Sequence, residues 1–225
     1  MTTRRTGLRE QKKQATREAL SAAALRLALE RGPDNVRVDD IAEAVGVSSR
    51  TYNNYFSSRE QAIVAAVNSE REARIAAAVA DRPDSVGLAA AVIEAIVDQY
   101  TAPGVPSREA LLLITARPAL REAFVDTTSA IEHPLTDAIA RRLGDIDPNT
   151  ARVLAASVAA AVRVAVEQWL RTTAASFTAG GLVVPSGSLP DLLRTMLAPL
   201  APALDAAEQR ARQERCRVTT PDGSK

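Results

Sequence analysis

Apolar positions along this chain recur at intervals of three and four residues, the period of a helix that buries one face. Leu20, Ala24 and Leu27 mark such a face early in the sequence, and Leu154, Val158, Ala161, Ala165 and Trp169 mark another late in it. No stretch alternates convincingly with the two-residue period of a half-buried strand, so the pattern predicts an all-α fold. Breakers and caps divide it into about nine helices. The first runs from about residue 10 to Arg31 and stops at Gly32-Pro33; the second, Val38 to Val45, ends at Gly46. Ser48 has the chemistry to cap a third, Ser49 to Tyr55, because its hydroxyl can accept from first-turn amides. Ser58 and Gln61 form a capping-box pattern that opens a fourth helix running toward Ala80. Further helices are predicted over about 85–101, 107–116, 118–143, 148–176 and 188–215. Asp147-Pro148 gives the long late helix a strong start, and Pro134 is expected to kink the helix it interrupts. Residues 177–187 read as a loop and 218–225 as a disordered tail.

Composition strengthens the helical reading and removes several function classes. Aromatic residues make up only 3% of the chain, against many Ala, Leu, Arg and Glu, a balance that favours helices over strands. The single cysteine, Cys216, excludes an internal disulfide framework and a Cys-clustered zinc site. The single histidine, His133, has no nucleophile pattern around it, so neither metal, cofactor nor catalysis is expected. The polar start MTTRRTGLREQKKQ lacks the apolar core of a secretory signal. The longest near-apolar run, Val153 to Val162, falls short of the roughly 20 residues of a membrane span. A reducing, cytoplasmic setting fits.

The formal net charge is +1, a figure that hides an uneven distribution. Residues 1–59 carry 11 basic and 7 acidic side chains, net +4, and residues 60–225 carry 17 and 20, net −3. The basic head coincides with the most informative segment, VRVDDIAEAVGVSSRTYNNYFSSREQAI, residues 36–63. Two short helices joined by a glycine-containing turn, the second capped and polar on one face, have the layout of a helix-turn-helix. Ile41, Ala42, Val45, Val47, Tyr52 and Phe56 supply its small core, which leaves Arg50, Thr51, Asn53, Asn54 and Tyr55 to face DNA. Arg50 suits guanine, Asn53 or Asn54 suits adenine, and Thr51 offers a methyl to thymine or a hydroxyl to phosphate. Arg37, Ser48, Ser49, Tyr55 and Arg59 complete the expected DNA-binding set, with phosphate contacts that position without specifying. Arg4, Arg5, Arg9, Lys12 and Lys13 form a basic arm, residues 1–13, that can follow the backbone or enter a minor groove.

Residues 14 to about 70 resemble the DNA-binding domain of the TetR family of bacterial transcriptional regulators. A first helix ending ALERG, then VDDIAEAVGVSSRTYNNYF, then SSREQAI carry the resemblance. It implies a DNA-binding domain over 14–74, with the helix-turn-helix at about 37–56, and a helical ligand-binding and dimerisation domain over 75–217. It also implies a homodimer on double-stranded palindromic DNA, usually a repressor released by a small-molecule effector. The chain departs from the family's habits at Asn53, where Tyr is common, at Arg59, where Lys is common, and at Ala28, where Phe is frequent. The segments RPALREAF (117–124), AIARRLG (138–144) and VEQWL (166–170) are similar to a branch associated with acyl-CoA-like ligands, including relatives of the mycofactocin-system regulator.

The 148–176 helix is apolar around most of its circumference near its middle, which predicts burial on two sides. One side faces the body or a pocket, and the other a dimer interface shared with residues 188–215. Tyr100, Phe124 and Trp169 are candidate linings of an apolar effector site, and Arg117 and Arg163 candidate partners of an anionic group; core packing and surface ion pairs are the competing readings of these five. An effector-independent activator or architectural protein, and more remotely an enzyme with an appended DNA-binding domain, are the alternative functions.

Overall fold

In the computed structural model the described residues are 3–83, 85–101, 108–144, 147–178 and 188–219. Among them the chain is helical throughout, without a strand. The chain order is α1 (Thr3–Arg31), α2 (Val38–Val45), α3 (Ser49–Tyr52), α4 (Arg59–Asp81), α5 (Leu88–Thr101), α6 (Arg108–Ala116), α7 (Pro118–Thr127), α8 (Glu132–Leu143), α9 (Pro148–Thr178), α10 (Leu189–Leu197) and α11 (Ala201–Thr219). Short 3-10 turns at Pro33–Asn35, Thr128–Ile131 and Ala198–Leu200 separate some of these.

Two of the predicted long helices are therefore each two helices. The 118–143 segment breaks at Thr128–Ile131, and Pro134 falls in the first turn of α8, where its missing N–H is harmless, so it marks a start and not a kink. The 188–215 segment breaks at Ala198–Leu200, where Pro199 has no amide hydrogen to continue the ladder. Residues 3–13, expected as an arm, continue α1; Arg, Gln, Lys, Leu and Glu are all good helix formers. Ser48 Oγ accepts from Thr51 N at 3.1 Å, as the cap reading requires. Ser58 Oγ likewise accepts from Gln61 N at 3.1 Å, but Gln61 reaches back one residue further, to the amide and hydroxyl of Ser57. The expected loop at 177–187 and tail at 218–225 lie largely outside the described residues.

The chain forms two compact units. One comprises Met1–Ser69 and Gly104–Thr127, a division that is not contiguous along the sequence because α6 packs on α1. Its core contains Leu20, Ala24, Leu27, Ala28, Val36, Ile41, Tyr52, Phe56 and Ile63, all buried. The other comprises Glu70–Pro103 and Thr128–Lys225. There α9 packs against α8, α10 and α11, and α5 against α10 and α11, around Val92, Ile96, Leu135, Ile139, Val158, Val162, Leu193 and Leu197.

Ionic groups also join distant segments of this second unit. The nearly buried Arg142 guanidinium at the end of α8 donates to the carbonyls of Val79, Arg82, Pro83 and Val86. It also lies 3.7 Å from Glu208 on α11. Glu208 in turn accepts from Leu88 N at 3.0 Å, and Asp205 from Ala89 N at 3.3 Å. Two carboxylates from α11 thus satisfy the first amides of α5 and face the positive end of its dipole.

The stretch Pro148–Thr172 has a mean hydropathy of 1.5 and the length of a membrane crossing. The uninterrupted apolar run understated this, because Ser157 and Arg163 are outweighed by their neighbours. A core helix meets the same criterion, and α9 packs on three other helices here. It nevertheless leaves a stripe uncovered: Val153 is 64% and Val164 46% exposed, with Ala160 exposed between them.

Candidate nucleic-acid interface

The turn between α2 and α3 is set by backbone chemistry. Gly46 takes φ 73° and ψ 31°, the left-handed conformation that glycine enters without a Cβ penalty. Its amide bonds to Glu43 O at 3.0 Å, and that of Val47 to Ala42 O at 3.0 Å, a Schellman closure of α2. Two residues on, Ser48 opens α3, and its hydroxyl also lies 2.9 Å from that of Thr51. Ser49 Oγ donates to Asp39 on α2, which ties the two helices side chain to side chain. The amide of Arg37 donates to Asp40 Oδ2 at 2.9 Å and closes the other end of α2.

The regular part of α3 is shorter than expected, ending at Tyr52 and not Tyr55. Asn53 and Asn54 are weak helix formers, and the last turn tightens to three-residue bonds, Asn54 N to Thr51 O at 3.1 Å and Tyr55 N to Tyr52 O at 2.8 Å. Tyr52 itself is fully buried, its ring 5.7 Å from that of Phe56, and its hydroxyl donates to Ser58 O at 2.8 Å. Burial, reinforced by the charge of Glu60, pushes the Tyr52 hydroxyl up to about 12, so it remains a donor and pins α3 to the start of α4.

What this frame presents outward is a short polar surface. Arg50, Asn53 and Asn54 are exposed, Thr51 and Tyr55 half-buried. Arg37 is exposed beside the start of α2, and Ser48 is exposed at the cap. Arg59 also bonds within the unit: its Nη1 donates to Asp34 O at 3.2 Å and Val36 O at 3.0 Å, and its Nε lies 2.7 Å from Glu60 Oε1. It holds the α1–α2 connection to the start of α4. Burial acts to raise the Glu60 carboxyl, but the bonds from Arg59, its own backbone amide and Ser58, with the Arg59 charge, outweigh it and hold Glu60 below the ordinary glutamate value.

One residue absent from the sequence reading belongs here. Arg17 on α1 donates from Nη1 to Tyr55 O at 3.2 Å, and its guanidinium stacks 4.7 Å from the centre of the Phe56 ring. The signal was present in the helical period, since Arg17 continues the stripe of Leu20, Ala24 and Leu27 by one turn. A cation at the end of a buried stripe is placed to meet whatever the stripe packs against.

The five residues suggested for an effector site are divided between the units. Arg117 and Phe124 fall in the unit that carries the helix-turn-helix, where Arg117 pairs with Asp34 at 3.1 Å and Phe124 is buried. Tyr100, Arg163 and Trp169 fall in the other, where the guanidinium of buried Arg71 stacks 4.4 Å from the centre of the Tyr100 ring. Arg163 is exposed and Trp169 half-buried. Among the described residues no His, Cys, Asp and Glu group has the arrangement of a metal site.

Residues 20–66 match the model of bacterial regulatory proteins of the tetR family, and residues 82–205 match the MftR C-terminal domain. The HTH-type transcriptional regulator TcmR of Streptomyces glaucescens is 39% identical over 71 residues, 32% of this chain and 31% of that protein. The chain thus spans about a third of the length of that curated relative. A crystal structure from Rhodococcus sp., described as a TetR-family transcriptional regulator, is 22% identical with a TM-score of 0.43, over 84% of this chain and 98% of that one. With the two family models accounting for the helix-turn-helix and for more than half of the chain, the protein belongs to the TetR family of DNA-binding transcriptional regulators and has an MftR-type C-terminal domain.

Proposed function

We propose that the protein is a cytoplasmic, homodimeric repressor that leaves a palindromic operator when a small, largely apolar or acyl-CoA-like effector binds its C-terminal body. The reading divides the chain into a DNA-binding segment over 14–74 and a sensing and dimerising segment over 75–217. Arg50, Asn53 and Asn54 read base edges, with Arg37, Ser48, Ser49, Thr51, Tyr55 and Arg59 set around them toward the backbone. The effector lies in the body, near Tyr100, Arg163 and Trp169.

The uncovered stripe of α9 carries the proposal. Val153, Ala160 and Val164 repeat at helical spacing and are exposed on a helix that otherwise packs on α8, α10 and α11, with Arg152 and Arg163 exposed along one edge of the stripe. Beside them a groove of about 340 Å3 between α9 and α11 is lined by Val153, Leu154, Ala203, Ala206 and Ala207, with Asp147, Asn149, Thr150 and Arg210 as its polar part. Isologous packing of such a face covers it and yields a twofold dimer, as a palindrome demands. Two recognition helices about 34–36 Å apart then meet successive major grooves. An effector that prefers a dimer of different spacing shifts the population away from DNA, and a large shift needs a differential affinity of about 5 kcal/mol.

The experiment is sedimentation of the full chain beside mobility-shift titration on a duplex selected from a randomised pool by the protein itself. A Val153→Glu, Val164→Glu variant should sediment as a monomer and lose cooperative binding to the two half-sites. A variant that remains dimeric would remove α9 from the interface. Addition of acyl-CoA thioesters of increasing chain length should release the wild-type complex; no release by any of them would exclude that effector class.

A further inference from the structure

In the unit that carries the helix-turn-helix, a cleft of about 600 Å3 opens between α1 and the turn that follows α3, lined by Gln11, Lys13, Gln14, Arg17, Asn54 and Tyr55. All six are polar, two are cationic, and none is a carboxylate. Two acids flank the cleft in sequence, Glu10 before Gln11 and Glu18 after Arg17, and neither lines it; Glu18 Oε1 is taken by the Gln14 amide at 2.8 Å. Lys13 and Arg17 stand one helical turn apart, where like charges repel, and an anion between them relieves that repulsion. Lys13 has no hydrogen-bond or ion-pair partner among the described residues. Arg17 donates to Tyr55 O, one acceptor for a group with five N–H donors.

We infer that this cleft seats a phosphodiester of the operator backbone, with Lys13 as its principal cation, Gln14 and Arg17 as hydrogen-bond donors, and Asn54 and Tyr55 as its opposite wall. The inference rests on the reading of α3 as the base-reading helix and adds a second element to the interface. Asn54 belongs both to the wall of the cleft and to the exposed polar surface. A strand held at the cleft is therefore registered against the side chains beside it, which is how backbone contacts orient base readout. Arg17 acts here twice. It contributes charge to the seat, and its bond to Tyr55 O fixes the turn that forms the far wall. Because α1 is a continuous helix from Thr3 to Arg31, the cations are held on a rigid rod.

The test uses the full-length Lys13→Gln variant, whose side chain is exposed and outside the core, on two probes: a short duplex of random sequence and a duplex selected from a randomised pool. One phosphate contact contributes about 0.9 to the slope of log affinity against log salt. Between 50 and 200 mM salt the affinity gap between wild type and Lys13→Gln should accordingly narrow about 3.5-fold, on both probes alike. Lys13→Arg should restore the wild-type slope. A Lys13→Gln variant with an unchanged slope, or one weakened on the selected duplex alone, overturns the seat. Arg50→Ala run in the same series separates the two ideas. If it collapses the preference for the selected duplex while Lys13→Gln changes nothing, the cleft is wrong and the reading of α3 stands. If Arg50→Ala leaves that preference intact, the reading of α3 fails, and the cleft fails with it unless the Lys13→Gln slope still falls.

Discussion

The helix-turn-helix and the α5–α8–α11 cluster are both small, both helical and both buttressed by polar bonds, yet they are built over different sequence distances. Around α2 and α3 the bonds that define the turn span three to ten residues: Gly46 to Glu43, Thr51 to Ser48, Ser49 to Asp39. In the cluster the defining bonds span 56 to 120 residues, from Arg142 to Val86 and from Glu208 to Leu88. The first region is specified locally and presents a conformation largely independent of what surrounds it. The second exists only when three distant segments have met, so its stability is shared and its failure is cooperative.

Substitutions at four positions test that contrast. Arg142→Met should be the most damaging, by about 3–5 kcal/mol, because it leaves several carbonyls unmatched and Glu208 with only the exposed Arg212, 3.3 Å away, as its cation. Chemical denaturation followed by hydrogen exchange should show protection lost together in α5, α8 and α11; loss confined to α8 would deny the cooperativity. Gly46→Ala comes next. No atom beyond the adjacent residues lies within 4 Å of the added methyl, so its cost is conformational, roughly 1–2 kcal/mol. Its exchange should quicken in α2 and α3 and stay unchanged in α11, and a global effect would show the turn to be less autonomous than its bonds imply. Ser48→Ala should cost about 1 kcal/mol and Ser48→Asp should recover most of it, measured by the same exchange at the first amides of α3. Glu60→Gln should have the smallest effect. A carboxyl held below its ordinary value stabilises above the ordinary glutamate range, and that contribution disappears as pH falls through its depressed folded value. The variant should flatten the acid side of the stability profile, and an unaltered acid limb would remove Glu60 from the account.

The same difference in range explains what the sequence made legible. Gly46, Ser48, Ser58 and Asp147 announce their roles to residues within three or four positions, and each does as its chemistry predicts; Asn149 N lies 3.2 Å from Asp147 Oδ1. The helices themselves followed from period and punctuation. Errors came where a local rule met an equally local competitor: two asparagines shortened α3, and Pro199 and the Thr128–Ile131 turn divided helices whose apolar period runs on uninterrupted. Arg59 and Arg142 were beyond such reasoning. Nothing near Arg59 says that its guanidinium serves Asp34 and Val36, and an arginine in AIARRLG has the same helical prospects whether it faces solvent or gathers carbonyls from another segment. Arg17 lies between these cases, because its place on the buried stripe is visible while its acceptor, 38 residues away, is not.

The capping of α5 by Asp205 and Glu208 also has a bearing on the order of assembly. During synthesis the N-terminus of α5 leaves the ribosome well before the carboxylates that satisfy it, 116 and 120 residues later. Until α11 is made, Leu88 and Ala89 have only water for their amides, and α5 and α8 lack the part of their cover that α11 supplies, although α9 and α10 already pack on them. Contacts of such separation form late and slowly. Helix α11 therefore works as a latch on a body that is incomplete while it is being made, and chains interrupted before Asp205 should be caught by proteases even with their helix-turn-helix fully made.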